Sequence, residues 1–233
     1  YSSTPIFIQP NAGLPVSVNG ETVYNVTPEE FAEKQLKILE NGACALGGCC
    51  GTNPMHIKAM IDLCKGREIK EIAKKNYTAV SSYSKSVFFE GKPIIVGERI
   101  NPTGKRLLKE ALRNNDMDYI FREGVSQTDL GADILDVNVG LPEIDECEMM
   151  TNAVTGLQSI LNTPLQIDTS DPRVMEKALR FYSGKAMVNS VNGKEESMNS
   201  VFPLVKKYGG VVVCLTLDEN GIPETVEGRI EIA

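Results

Sequence analysis

The sequence predicts an α/β chain in which parallel strands alternate with helices. Two stretches carry strand–helix–strand–helix order, one before residue 66 and one from residue 93 onward, with turn or polar residues after each apolar run. In the second stretch every apolar run ends on a polar residue: Glu98, Asp136 with Asn138, Asp168, Asn189, then Thr216 and Asp218. Strand carboxyl ends build the active-site face of a βα barrel, whereas a doubly wound sheet gathers ligands mainly at one switch point. Five successive polar-tipped strands favour the barrel. A typical barrel takes about 250 residues, so neither stretch of this 233-residue chain holds a complete one.

In chain order, Pro5–Gln9 reads as a short strand closed by the turn residues Pro10-Asn11-Ala12-Gly13. Thr27-Pro28-Glu29-Glu30 is an N-cap with proline at the first helical position, and the helix it opens carries Phe31, Leu36 and Leu39 before stopping at Asn41-Gly42. Ala43–Leu46 is a short apolar run with the length of one buried strand, followed by a helix from Asn53-Pro54 to about Gly66. The serine-rich stretch 78–86 has neither helical nor strand period and reads as part of a linker over residues 77–92. Strands follow at 93–98, 133–138, 165–168, 186–189 and 211–215. Helices fall at 105–113, 118–130, 143–161, 172–182 and 194–208. The expected division is therefore 1–76, a linker at 77–92, and 93–233.

Composition sets the class. Hydrophobic content of 42% and charged content of 24% are those of an ordinary globular chain. A net charge of −7, with no long basic run, argues against nucleic acid as the main partner. No apolar run approaches the roughly 18 residues that span a membrane, and no basic-then-apolar leader is visible, so no membrane partner is expected. Six cysteines are too few for a disulfide scaffold at this length. Cys44, Cys64, Cys147 and Cys214 read as buried single thiols, and a reducing, cytoplasmic setting is expected. The missing initiator Met suggests an excised segment, and a cut barrel with bare strand edges is expected to aggregate alone.

The turn Gly47-Gly48-Cys49-Cys50-Gly51-Thr52 stands at the end of a strand. Adjacent side chains point the same way only where regular pairing stops, and the glycines permit that backbone and leave room beside the sulfurs. Two thiolates there make a soft site for zinc, and the plainer alternative is a pair of cysteines buried at a turn. Two ligands do not close a zinc site, and the sequence offers no convincing third. The only histidine, His56, lies in a first helical turn and reads as a packing or surface residue.

At the other strand ends, Asp168 precedes a helix start and reads either as a helix cap or as an acceptor for two N–H groups of a pterin or pyrimidine edge. Asn189 offers a donor and an acceptor to such an edge, or serves the turn before Asn192-Gly193. Asp136 and Asn138 share one strand face, and Glu98 reads as a rim group that could pair with Arg99. The loop Ile100–Gly104 could hold an anion but lacks a phosphate-loop pattern.

Two sets of motifs resemble known families. Ala45–Thr52 resembles the last-strand zinc motif of the homocysteine S-methyltransferase family. Val96–Asn101, Leu135–Gly140, Ile167–Ser170 and Val188–Gly193 are similar to segments of the pterin-binding methyltransferases, and the two modules in this order resemble the cobalamin-dependent methionine synthase family. The resemblance implies portions of two adjoining (βα)8 TIM barrels: the last βα units of a zinc and homocysteine barrel, then the first five strands of a methyltetrahydrofolate barrel. It implies zinc on Cys49, Cys50 and a third cysteine upstream. It implies pterin binding by Asp168, Asn189, Glu98, Asp136 and Asn138, and homocysteine contact from Asn11. Methyl groups would pass from 5-methyltetrahydrofolate through cobalamin, carried by another module of the same polypeptide, to homocysteine. The residue acting near folate N5 would lie on a later strand, so this piece is not expected to turn over alone. Competing readings are a dihydropteroate synthase, disfavoured because 138–143 holds no arginine, a corrinoid-protein or stand-alone homocysteine methyltransferase, and a non-catalytic docking fragment.

Overall fold

In the computed structural model, which describes residues 4–71 and 76–233, the chain divides into the units Tyr1–Asn76 and Tyr77–Ala233. The first unit opens with β1 (Phe7–Ile8) and a hairpin of β2 (Val16–Val18) and β3 (Glu21–Val23). This hairpin is not among the expected strands. Its signal is an Asn-Gly pair between alternating residues, and Asn19 and Gly20 take the positive φ values of 54° and 84° that such a two-residue turn requires. Next comes α1 (Pro28–Glu40), started by a capping box in which Thr27 accepts from the Glu30 N–H and Glu30 reaches back to Thr27. β4 (Ala45–Leu46) pairs in parallel with β1, and α2 (Pro54–Cys64) packs on α1. The run expected as a buried strand is only two residues of strand, half open, because β1 is its one paired neighbour among the described residues.

A second hairpin, β5 (Ala79–Ser81) and β6 (Ser86–Phe88), begins the second unit. Then follow β7 (Val96–Ile100), α3 (Arg106–Arg113), α4 (Met117–Asp129), β8 (Ile134–Val137), α5 (Glu146–Ile160), β9 (Leu165–Asp168), α6 (Pro172–Phe181), β10 (Met187–Asn192), α7 (Glu195–Tyr208), β11 (Val211–Leu215) and α8 (Val226–Ile232). The five strands β7 to β11 are parallel and lie in sequence order with no reversal. That order is a barrel wall, since a doubly wound sheet reverses at its switch point. The chain is α/β, and this unit is a partial (βα)8 barrel. Helix α5 starts three residues later than expected because Asp145, not a residue near Glu143, caps it.

Side-chain alternation assigns the two faces of the wall. Leu135, Val137, Leu165, Ile167 and Val188 point outward into the main core, against α4, α5 and α6 residues such as Ile120, Leu157 and Met175. The intervening residues point inward. At the amino end of the wall these are Ile134 and Met187, which close over Val80 and Val87 of the β5–β6 hairpin.

The segment 77–92 therefore departs from its reading as a linker: it is a structured plug under the strands. Two of its serines, Ser81 and Ser82, are taken up by hydrogen bonds, while Ser84 and Ser86 are exposed. Ser82 Oγ donates to the Asn162 carbonyl at 2.6 Å, and Ser81 N–H donates to the Lys185 carbonyl at 2.9 Å. The Tyr182 hydroxyl donates to Ser81 O at 2.9 Å and accepts the Leu165 N–H at 3.0 Å, tying plug, α6 end and β9 together. Burying Val80 and Val87 contributes about 1.5–3 kcal/mol each. Of the four cysteines expected as buried thiols, Cys44, Cys64 and Cys147 are half-buried and Cys214 is exposed on the edge strand β11. No helix among the described residues is long and apolar enough to cross a membrane.

Candidate functional site: a dithiol turn and a carboxylate–amide face

In the first unit the turn after β4 is fixed on every side. Cys49 N–H donates to the Pro10 carbonyl at 3.0 Å, and Cys50 N–H donates to Asn11 Oδ1 at 3.1 Å. The Cys50 carbonyl accepts Ala12 N–H at 2.9 Å, while the Cys49 carbonyl accepts Thr52 Oγ1 at 2.6 Å. Asn11 thus holds the cysteine backbone directly. Gly51 has φ +77°, and a Cβ there would run into the Tyr24 ring, so only glycine serves. With the backbone so held, the two thiols are exposed and their sulfurs stand 3.8 Å apart.

Two sulfurs each about 2.3 Å from a tetrahedral zinc stand about 3.8 Å apart, so the donor set and its spacing fit that ion. Among the described residues no group of three His, Cys, Asp or Glu side chains gathers around a common point. His56 is not part of this turn: Nδ1 meets Asn53 Oδ1 and Nε2 the Val26 carbonyl, each at 2.9 Å, in the helix cap of α2. Sequence reasoning missed Tyr24. Burial first, then a hydrogen bond to the Cys50 thiol, pushes its phenol upward from the usual value.

In the second unit the inner face of the wall is polar above the apolar plug. Asp168 at the end of β9 receives two side-chain amides on a single oxygen: Asn138 Nδ2 at 3.0 Å and Asn101 Nδ2 at 3.3 Å from Oδ2. Both donors are themselves held. Asn138 Oδ1 accepts Gly140 N–H at 2.9 Å, and Asn101 Oδ1 accepts Thr103 N–H at 3.0 Å, which leaves each NH₂ facing the carboxylate. The reading of Asp168 as a helix cap fails, because Asp171 caps α6. Thr169 Oγ1 donates to Glu146 at 2.6 Å and fixes the loop beyond.

Asp136 lies one layer deeper, 4% exposed, accepting from Gln166 Nε2 and from Asn189 and meeting Asp168. Burial above all, then the Asp168 charge, pushes it up to about 6, against the pull of the Gln166 and Asn189 hydrogen bonds. Of the polar strand ends, Asp136, Asn138, Asp168 and Asn189 are thus together on one face. Glu98 is not among them: it is exposed at the rim and pairs with Lys105 at 2.8 Å rather than with Arg99. Lys105 also grips the Asn101 carbonyl at 3.1 Å, which positions the loop carrying Asn101. A cavity of about 400 Å³ opens beside Asp168 and Asn189 and extends past Ser190 and Ser197 to Lys194. Asn101 is the residue that sequence reasoning missed here, having read its loop only as an anion holder.

Comparison with known proteins follows the same division. The model of the pterin binding enzymes matches residues 97–232. The chain belongs to that family. The model of the homocysteine S-methyltransferases matches residues 1–64, so the two modules stand in the order that the sequence motifs implied. The whole chain is 31% identical over 247 residues to a methionine synthase of Mycobacterium leprae (strain TN) and 30% identical over 241 residues to that of Mycobacterium tuberculosis. It spans about a fifth of the length of these curated relatives, covering 20% of each. Among solved structures, a 7,8-dihydropteroate synthase from Vibrio fischeri matches with TM-score 0.45 and 18% identity over 59% of this chain and 50% of that one. A dihydropteroate synthase from Thermus thermophilus matches with TM-score 0.36 and 21% identity over 59% and 47%.

Proposed function

We propose that this chain contributes two half-sites of a methyltransferase that makes methionine from homocysteine, with methyl groups drawn from 5-methyltetrahydrofolate through cobalamin. One observation carries the reading: a spaced, exposed dithiol and a held carboxylate–amide face occur in one chain, each inside the module whose family chemistry requires it.

In the first module Cys49 and Cys50 would hold zinc, with the remaining ligand from outside these residues. Zinc, when bound, lowers the pKa of the homocysteine thiol so that a thiolate is present at neutral pH. Asn11 serves that site through the backbone, by keeping the Cys50 peptide in place.

In the second module Asp168 is the acceptor for the N–H groups of a pterin edge. Asn138 and Asn101 occupy Oδ2 and prevent rotation, holding the carboxylate in place for the ligand. Asn189, on the neighbouring strand and lining the same cavity, supplies the complementary donor and acceptor. Asp136 supports both from behind and makes no ligand contact. A dihydropteroate synthase would share the pterin edge, but it has no use for the dithiol module.

The test separates the half-reactions in the full-length protein. Cys49→Ser and Cys50→Ser should abolish methylation of homocysteine while demethylation of methyltetrahydrofolate by reduced cobalamin continues. Asp168→Ala should do the reverse. Retention of homocysteine methylation in both cysteine variants would remove the dithiol from the reaction.

A further inference from the structure

The buried stripe of α1 contains a polar residue that the fold does not need. Phe31, Ala32, Gln35 and Leu39 face inward, whereas Leu36, expected on that stripe, is only half-buried. Gln35 is completely enclosed. Its Nε2 donates to the Gly47 carbonyl at 2.6 Å, and its Oε1 has no hydrogen-bond partner among the described residues. An enclosed acceptor without a partner costs about 1–3 kcal/mol, so a methionine or leucine would fill this position more cheaply. What the amide provides is its one bond.

That bond falls on the residue where the dithiol turn leaves β4. Gly47 N–H is already bound to the Ile8 carbonyl at 2.9 Å, so with Gln35 both polar groups of Gly47 are tied, to β1 on one side and to α1 on the other. Gly47 and Gly48 carry no side chains and are the freest joint in the approach to Cys49. The remaining ties of the turn, from Pro10, Asn11 and Thr52, all act at Cys49 or beyond. Gln35 is thus the side chain that fixes the upstream end of the turn.

We propose that Gln35 is a positioning residue for the Cys49 and Cys50 thiols, holding the Gly47–Gly48 joint so that the two sulfurs keep the spacing of a tetrahedral zinc edge. This rests on the zinc reading above. A side chain that orients a metal-binding turn without touching the metal typically alters affinity about 10- to 100-fold.

The experiment is a competitive zinc titration against a chromophoric chelator on the reduced full-length protein, with thermal melts run alongside. Gln35→Met keeps the volume and removes both the tie and the orphaned acceptor. Its zinc affinity should fall at least 10-fold while its melting temperature holds or rises. Gln35→Leu, which likewise has no donor for the Gly47 carbonyl, should lose affinity to the same extent. Leu39→Met, one turn along the same buried stripe with no bond to Gly47, should bind zinc as wild type does. Equal affinity in wild type and Gln35→Met overturns the proposal, and so does a fall in affinity matched by Leu39→Met. Failure of the wild type to bind zinc, or full retention of zinc by Cys49→Ser, instead overturns the underlying zinc reading.

Discussion

Asp136→Asn should make the protein more stable at neutral pH, and the size of the gain follows from the site. Asp136 is 4% exposed and its carboxyl is pushed up to about 6 from an ordinary 3.8. The folded state therefore binds this proton more tightly than the unfolded chain does. The contribution of Asp136 to wild-type stability is undiminished below about pH 4, declines as pH rises from there through 6, and levels off above. A gap of about two pKa units, at roughly 1.4 kcal/mol per unit, amounts to about 3 kcal/mol at pH 7.5. Asparagine keeps the shape, can still accept from Gln166, and offers an N–H to Asp168 in place of a second charge, while giving up the Asn189 bond takes about 1 kcal/mol from the gain. Thermal melts of wild type and variant at pH 4, 5, 6 and 7.5 measure the difference. The variant should be more stable by about 2–3 kcal/mol at pH 7.5, with the gap closing toward pH 4. Equal or lower stability at pH 7.5, or a gap that ignores pH, would refute the placement of a charged, desolvated carboxyl beneath Asp168.

Other perturbations follow from the same contacts. Tyr182→Phe leaves the buried Leu165 N–H without its acceptor and cuts the hairpin plug from α6, so chemical denaturation should show a loss of about 2 kcal/mol. Gly51→Ala drives a Cβ into Tyr24 at a positive φ. It should disturb the dithiol turn enough to slow reaction of the two exposed thiols with a bulky disulfide reagent or lower the melting temperature; wild-type behaviour in both would contradict the contact. Asn138→Ala removes the shorter of the two amide bonds to Asp168 and should weaken methyltetrahydrofolate binding about 10-fold by calorimetry, while Glu98→Gln, at the rim, should leave it unchanged.

The strand–helix alternation and the polar strand tips were legible because each rests on residues close in sequence. So was the dithiol, whose glycines and adjacent cysteines describe one local turn. The β2–β3 hairpin was missed although Asn19-Gly20 between alternating residues signals it, because the valines of its strands are exposed and carry no core signal. The plug at 77–92 was misread because serine content suggests solvent. Here Ser81 and Ser82 serve partners 104 and 80 residues further along the chain. Long-range pairing also hid Asn101, which reaches Asp168 across 67 residues, and the depth of Asp136 beneath the mouth. Periodicity places a residue on a face but does not say in which layer. Gln35 was missed for the opposite reason: the apolar residues drew the stripe through Leu36, and the bond from Gln35 to Gly47, which gives a buried polar residue there a purpose, has no local signal.

The account depends most on Asp168 presenting its carboxylate to a pterin edge. Calorimetric titration of 5-methyltetrahydrofolate into the full-length protein and into Asp168→Ala tests it directly. Loss of at least two orders of magnitude in affinity is the expected result, with Cys49→Ser binding as wild type. Undiminished affinity in Asp168→Ala would contradict the account.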